Sequence, residues 1–257
     1  DNSGHIATIN TISVSTNNNI NIMVLQRFYA YQYASLDAQS YSDGGKIQNE
    51  SGVYVGLSWQ PSPTWQLTAY ADYAYHPWPM YRKPTASHSV DNMIQCVHTT
   101  EKWKLMGRYR LKVKEQEHRT RISIEYSSSQ FSARTQFDGG YCTAQKSEFG
   151  AMISENVAYT HDWLRLNAGV GYFDTDSSNS RVYLYENGPL YTYSMQQFYG
   201  EGIRYWMMLR ASIGRKLTFT AKIGVTDYFD RVKISSDNQQ IDQSSQTDLD
   251  IQVRWRI

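Results

Sequence analysis

Long apolar runs are missing from this 257-residue chain, and mean hydropathy is −0.59. No stretch approaches the roughly 18 consecutive apolar residues of a membrane-crossing helix, so a transmembrane helix is excluded. Cysteine is nearly missing as well: two Cys cannot form a disulfide framework. A surplus of one charge sign is lacking too. Lys and Arg number 25 against 24 Asp and Glu, a net +1, which does not imply steering of the whole molecule by nucleic acid or anionic lipid. No segment has a helical period, and no solenoid- or propeller-type repeat recurs. There is no Gly-rich phosphate loop, CxxC pair or HExxH, and no cofactor or metal is expected. The chain opens DNSGHIATIN, with neither Met nor a signal peptide, and is expected to be a processed form.

What the chain does have is alternation. In residues 247–257 (TDLDIQVRWRI), Leu249, Ile251, Val253, Trp255 and Ile257 alternate with Asp248, Asp250, Gln252, Arg254 and Arg256. A period of two makes a strand with one oily and one wet face. Its length fits the roughly 9–11 residues of a tilted transmembrane strand. The pattern returns over residues 5–15, 20–36, 52–60, 65–76, 89–99, 103–114, 118–127, 131–141, 149–160, 164–174, 203–213 and 217–228, which makes about thirteen strands. Glu155 interrupts one face of 149–160 and leaves its parity open. Aromatics reach 14%, with 21 Tyr and 7 Trp, as two interfacial girdles would require, although a Tyr-rich soluble sandwich would show a similar total. The connections alternate between short (16–19, 61–64, 100–102, 128–130, 161–163, 214–216) and long (37–51, 77–88, 175–202, 229–246). Outer-membrane barrels sort their turns this way, and a β-sandwich has no reason to. The expected fold is an all-β transmembrane antiparallel barrel spanning residues 1–257 in a bacterial outer membrane.

The segments RFYAYQYASLDAQSYSDGGKIQNESGVYVGLSWQPSPTWQLTAYADYAYHPW and DTDSSNSRVYLYENGPLYTYSMQQFYGEGIRYWMMLR carry a resemblance. They resemble the C-terminal β-barrel region of Bacteroidetes-type outer-membrane proteins that have an N-terminal helix-hairpin-helix domain. The resemblance covers essentially the whole chain and implies location and fold more than activity. The helix-hairpin-helix segment is absent here, so no DNA-binding role passes to any residue, and the loop at Glu115–Glu117 is shorter than the family leads one to expect.

With the apolar positions facing lipid, the chemistry falls on the lumen. Lys104, Arg108, Arg110, Lys112, Lys114, Arg119, Arg121, Arg134, Arg165, Arg204, Arg210, Lys222, Arg254 and Arg256 point inward, against Asp72, Asp91, Glu125, Asp138, Asp248 and Asp250. A basic constriction favours anions or phosphate-bearing solutes. The bland reading is a network of ion pairs that fills the lumen. The six His are scattered. His76, His88 and Asp91 bracket one outer loop and are the least poor candidates for a membrane-embedded hydrolase, with interfacial His as the plainer reading. The loop 175–202 carries Tyr183, Tyr185, Tyr191, Tyr193, Phe198 and Tyr199. It suits either binding of a sugar or partner or a cap over the barrel mouth, with a hairpin of 181–186 and 191–195.

The expected function is a non-enzymatic, porin-like channel or scaffold with a basic lumen. The alternatives are a nucleic-acid uptake or export component and a membrane-embedded hydrolase. Expected partners are outer-membrane lipid and either other outer-membrane proteins or an N-terminal part of the same protein. Counting strands back from the C-terminus places His5 at the outer face, so at least one further strand is expected before Asp1. The same count sets orientation. A membrane-impermeant maleimide applied to intact cells should label Ser236→Cys and spare Ser62→Cys; the reverse pattern would contradict the topology.

Overall fold

A computed structural model of the chain describes residues 4–16, 19–34, 39–43, 45–81, 83–113, 117–143, 146–192, 195–214, 216–235 and 239–256. Lys114, Glu115, Gln116, Tyr193, Ser236 and Ile257, named above, lie outside the described residues. The strands are β1 (Ala7–Thr16), β2 (Ile20–Tyr29), β3 (Glu50–Ser62), β4 (Trp65–His76), β5 (Ser87–Thr99), β6 (Trp103–Lys112), β7 (Glu117–Ser127), β8 (Phe131–Cys142), β9 (Glu148–His161), β10 (Leu164–Thr175), β11 (Val182–Tyr185), β12 (Met195–Phe198), β13 (Gly200–Ile213), β14 (Leu217–Tyr228) and β15 (Ser245–Trp255). All but β11 and β12 form one thirteen-stranded antiparallel sheet ordered as the chain runs, from β1 to β15. The expected strands are therefore present, with small shifts at their ends. One end shifts further: β2 stops at Tyr29, not at residue 36. Its last ladder bond is Ala30 N–H to the Ile6 carbonyl, and a Tyr33-to-Ala30 turn bond follows.

The chain divides into two compact units, residues 1–98 with 108–118, and residues 99–107 with 119–257. Each shows the same inverted arrangement of its two faces. In the first unit, Val53 pairs Tyr73 and Val55 pairs Ala71, and the side chains of Val53, Val55 and Tyr73 stand exposed. In the second, Ile251 and Trp255 are 62% and 74% exposed, whereas Arg204 and Lys222 on the opposite face are each 3% exposed. A protein folded for water would reverse these values. Exposed Trp59, Trp65, Trp103, Phe131, Trp163 and Trp255 all sit at the short-turn ends of strands, where an interfacial girdle belongs. Glu155 falls on the apolar face, opposite Thr135 and Val170, and accepts the Thr135 hydroxyl, which settles the parity of β9. Pro61 cannot donate to the ladder, and the β3–β4 register shifts between Trp59 and Ser62 to accommodate it.

The polar face accommodates large cations over glycines. Gly52 is directly opposite Arg27, and a Cβ there would lie 2.6 Å from the Arg27 Cζ and 2.7 Å from the Tyr73 carbonyl oxygen. Gly224 serves Arg204 in the same way, with Nη2 at 2.1 Å. Gly107, by contrast, has nothing within 4 Å. Gly52→Val should therefore destabilise the detergent-folded protein by about 3 kcal/mol in urea unfolding, while Gly107→Val should stay within about 0.5 kcal/mol. Equal losses would show that the glycine slot has no such role.

Candidate functional site

The polar face of the first unit is organised by Arg27. Parity along β2 alternates Leu25, Arg27 and Tyr29 inward against Val24, Gln26 and Phe28 outward. Arg27 Nε donates to Glu50, and Nη1 and Nη2 donate to the two oxygens of Asp72 at 2.7 and 3.2 Å. The side chains of Arg27 and Glu50 are fully buried. The loop between β2 and β3 closes over this group. The Asp43 amide donates to both Glu50 oxygens at 3.0 and 3.1 Å, and the Tyr41 hydroxyl donates to Asp72 at 3.1 Å. Burial, reinforced by the Asp72 charge, pushes the Tyr41 phenol far above its ordinary range, so it stays a donor. His76 bridges the Asn49 carbonyl at 3.0 Å and Asp43 at 3.2 Å. One strand further on, Asp91 lies directly opposite Asp72 and pairs with Arg110 through two nitrogens.

In the second unit a loop residue supplies the central anion. Glu186, just past β11, is fully buried between Arg204 of β13 and Lys222 of β14. Arg204 Nε and Nη2 reach Glu186 at 2.8 and 3.1 Å, while Nη1 and Nη2 reach Asp248 at 2.6 and 3.1 Å. Lys222 Nζ lies 2.6 Å from Glu186. The formal charges of these four groups cancel. The loop is seated by apolar contacts as well. Val182, Leu184 and Phe198 join Met152, Phe173, Trp206 and Met208 in a buried cluster, and Phe198 stacks on Phe173 at 4.9 Å. A Cβ on Gly150 would come within 2.1 Å of the Ser180 carbonyl oxygen, so loop backbone lies directly on the sheet. Asn187 donates to Asn167 at 3.0 Å, Arg210 to the Gly188 carbonyl at 3.4 Å, and Gln252 to the Leu190 carbonyl at 3.0 Å. At the rim, Arg231 donates to the Tyr199 carbonyl at 2.9 Å and holds the Asp230 carboxyl below the usual carboxylate range.

The residues singled out from the sequence are distributed as follows. Arg204 and Lys222 meet at Glu186, Arg110 meets Asp91, and Arg121 meets Asp138. Arg119 donates to the Arg181 carbonyl and lies 5.9 Å from the Tyr183 ring. Arg134 is half-buried opposite Asn156. Arg108 lies on the polar parity of β6, and Lys104 stands exposed at its short-turn end. Among the loop aromatics, Phe198 is buried, Tyr185 and Tyr199 are exposed, and Tyr191 is fully exposed at a left-handed turn. The loop hairpin pairs 182–185 with 195–198, so its second arm lies later than expected. His76, His88 and Asp91 do not converge: His76 and Asp91 lie on the polar face with other partners, and His88 faces outward beside Tyr73. Sequence reasoning missed Arg27, Glu50 and Glu186. The parity of β2 puts Arg27 on the polar face with Leu25 and Tyr29 wherever the strand is ended, and was the signal that could have found it.

Breaking a buried pair from one side leaves a charge uncompensated, at a cost of roughly 3–5 kcal/mol. Arg204→Met should lose about that much in unfolding measurements, and the Arg204→Met/Glu186→Gln double variant less than the sum of the single losses, with a coupling above about 1 kcal/mol. Strict additivity would show that the two side chains do not act together.

No protein-family profile and no curated protein sequence matches this chain. Solved structures do. The FrpB iron transporter from Neisseria meningitidis, F5-1 variant in its apoprotein form, aligns over 97% of this chain with a TM-score of 0.56 and 10% identity. The chain spans about half of that transporter, 48% of its length. A porin refined at 1.8 Å aligns over 97% of this chain and 91% of its own, with a TM-score of 0.51 and 8% identity. At such identities the likeness speaks for the fold, and the fold is that of the outer-membrane antiparallel β-barrels.

Proposed function

We propose that this protein is a non-enzymatic outer-membrane channel or scaffold in a bacterial outer membrane, with its passage restricted by the inward-folded loop of residues 176–199. The observation that carries the reading is Glu186, a loop carboxylate fully buried against two cations of the sheet. A surface loop with no role inside would not bring a carboxylate there, because an ion taken out of water costs several kcal/mol or so unless it is paired. The lumen is less basic than strand parity alone indicates. Glu50 and Glu186 join the inward acids, and Arg27, Arg110, Arg121, Arg204 and Lys222 are each committed to a carboxylate. That pairing weakens the nucleic-acid uptake reading, which needs an open basic track for a polyanion.

Planar-bilayer recording tests the proposal. The full chain should conduct in small unit steps, and replacing residues 176–199 by a short Gly-Ser turn should raise the unit conductance several-fold. Unchanged conductance after loop replacement would contradict the restriction. Silence in both forms would leave a scaffold and exclude a channel.

A further inference from the structure

A pocket of about 240 Å³ lies at the long-connection end of the first unit. Phe28, Tyr29, Tyr31 and Trp78 give it aromatic walls, and His5 and Gln32 supply polar atoms. Tyr31 and Trp78 stack on one another, with ring centroids 4.4 Å apart and planes 20° from parallel. They remain 44% and 51% exposed, so the stack leaves aromatic surface open to a ligand.

Trp78 is clamped through its backbone. Its N–H donates to Asn49 Oδ1 and its carbonyl accepts from Asn49 Nδ2, both at 2.9 Å. Asn49 is buried in a left-handed conformation, φ 55°, which Asn adopts more readily than most residues. Its own N–H donates to the Ala30 carbonyl at 3.3 Å, and its carbonyl accepts from His76 at 3.0 Å. The Ala30 carbonyl accepts from Tyr33 as well, and the Ala30 N–H donates to Ile6. Three segments of chain are thus tied together around the pocket. An interfacial girdle residue needs only an amphipathic ring at the right depth. A two-point clamp on a loop tryptophan does more: it fixes the ring before a ligand arrives, which lowers the ordering cost of binding.

The lining selects the ligand. It contains no Lys, Arg, Asp or Glu, and so offers no ion pair to a phosphate or an ammonium group. The Tyr29 hydroxyl is taken by the Tyr41 carbonyl at 2.8 Å, so Tyr29 contributes its ring. Aromatic faces remain, with the Tyr31 hydroxyl, the Gln32 amide and the His5 imidazole as neutral polar groups. A pyranose matches that combination, because its C–H face packs on an aromatic ring and its edge carries hydroxyls. Size agrees: the pocket is smaller than the roughly 300–1,000 Å³ of sites for drug-sized ligands. An acyl chain would use no polar group and would lie along the strands, whereas every lining residue except Phe28 and Tyr29 falls outside them. We propose that this pocket binds one neutral sugar ring, with Tyr31 and Trp78 as the stacking platform and Asn49 positioning Trp78. A glycolipid headgroup and a free saccharide both carry that chemistry, and the test separates them. The site does not depend on conduction.

The test uses the full chain, folded in a zwitterionic detergent without a sugar headgroup and in phosphatidylcholine nanodiscs with or without lipopolysaccharide. The readout is the indole N–H resonance that Trp78→Phe removes. Methyl glycosides of glucose, galactose, rhamnose and N-acetylglucosamine are titrated in detergent. A saturable shift by a glycoside assigns a free saccharide. A shift confined to the lipopolysaccharide discs, and lost in Tyr31→Ala, assigns the headgroup. Tyr31→Ala should weaken glycoside binding by about ten-fold, the worth of one good aromatic contact. Tyr31→Leu, which keeps an apolar side chain without a flat face, serves if Tyr31→Ala does not fold. Asn49→Ala removes no lining side chain and should still weaken binding several-fold, because it frees Trp78. A shift that follows the detergent's alkyl chain length would put an acyl chain in the pocket and overturn the proposal. So would the absence of any shift, or equal affinity in wild type and the Tyr31 variants.

Discussion

Backbone amides and carbonyls in hydrocarbon must find their partners on neighbouring strands, because each one left unsatisfied costs several kcal/mol or so. The rest of this structure follows from that constraint. Strands of 10 to 14 residues make up the thirteen-stranded sheet, each alternating an apolar face toward lipid with a polar face away from it. Large cations such as Arg27 and Arg204 are thereby turned onto the polar face, where burial makes them need carboxylates. The carboxylates come from the next strand but one, as with Asp72 and Asp248, and from a strand's mouth end or a loop, as with Glu50 and Glu186.

Two kinds of contact hold the 176–199 loop, and their magnitudes divide the work between them. Burying Val182, Leu184 and Phe198 contributes about 1.5–3 kcal/mol for each side chain. The net worth of a buried ion pair relative to an apolar substitute is near zero or unfavourable. Apolar burial therefore drives the loop onto the sheet. The Glu186 pairs fix where it sits, because any displacement strands a charge. The first unit uses the same device on a smaller scale: Asp43 and Tyr41 cover the polar face by bonding Glu50 and Asp72, and the Tyr41 ring packs edge-on against Tyr54.

The period of two in residues 247–257 made the strands legible, and the sorted connections made the architecture legible. Trp65–His76 and Leu217–Tyr228 agree with the structure end for end. Where reading faltered, the cause was local. Ala30–Tyr33 continues an aromatic-rich alternation in sequence, yet it turns because the ladder partner ends at Ile6. The inward basic residues were visible from parity, but their neutralisation was not. Glu186 sits in an irregular loop with no period to place it, and Glu50 lies at a strand mouth that reads as loop.

Hydrogen exchange on the full chain in lipid nanodiscs tests the central claim, that loop and sheet form one buried unit, most directly. Amides of Val182–Tyr185 and Met195–Phe198 should exchange as slowly as those of β10 and β13, because their opening requires lifting an apolar cluster and two ion pairs. Exchange of these amides on the timescale of an exposed surface loop, with β10 and β13 still protected, would contradict the account.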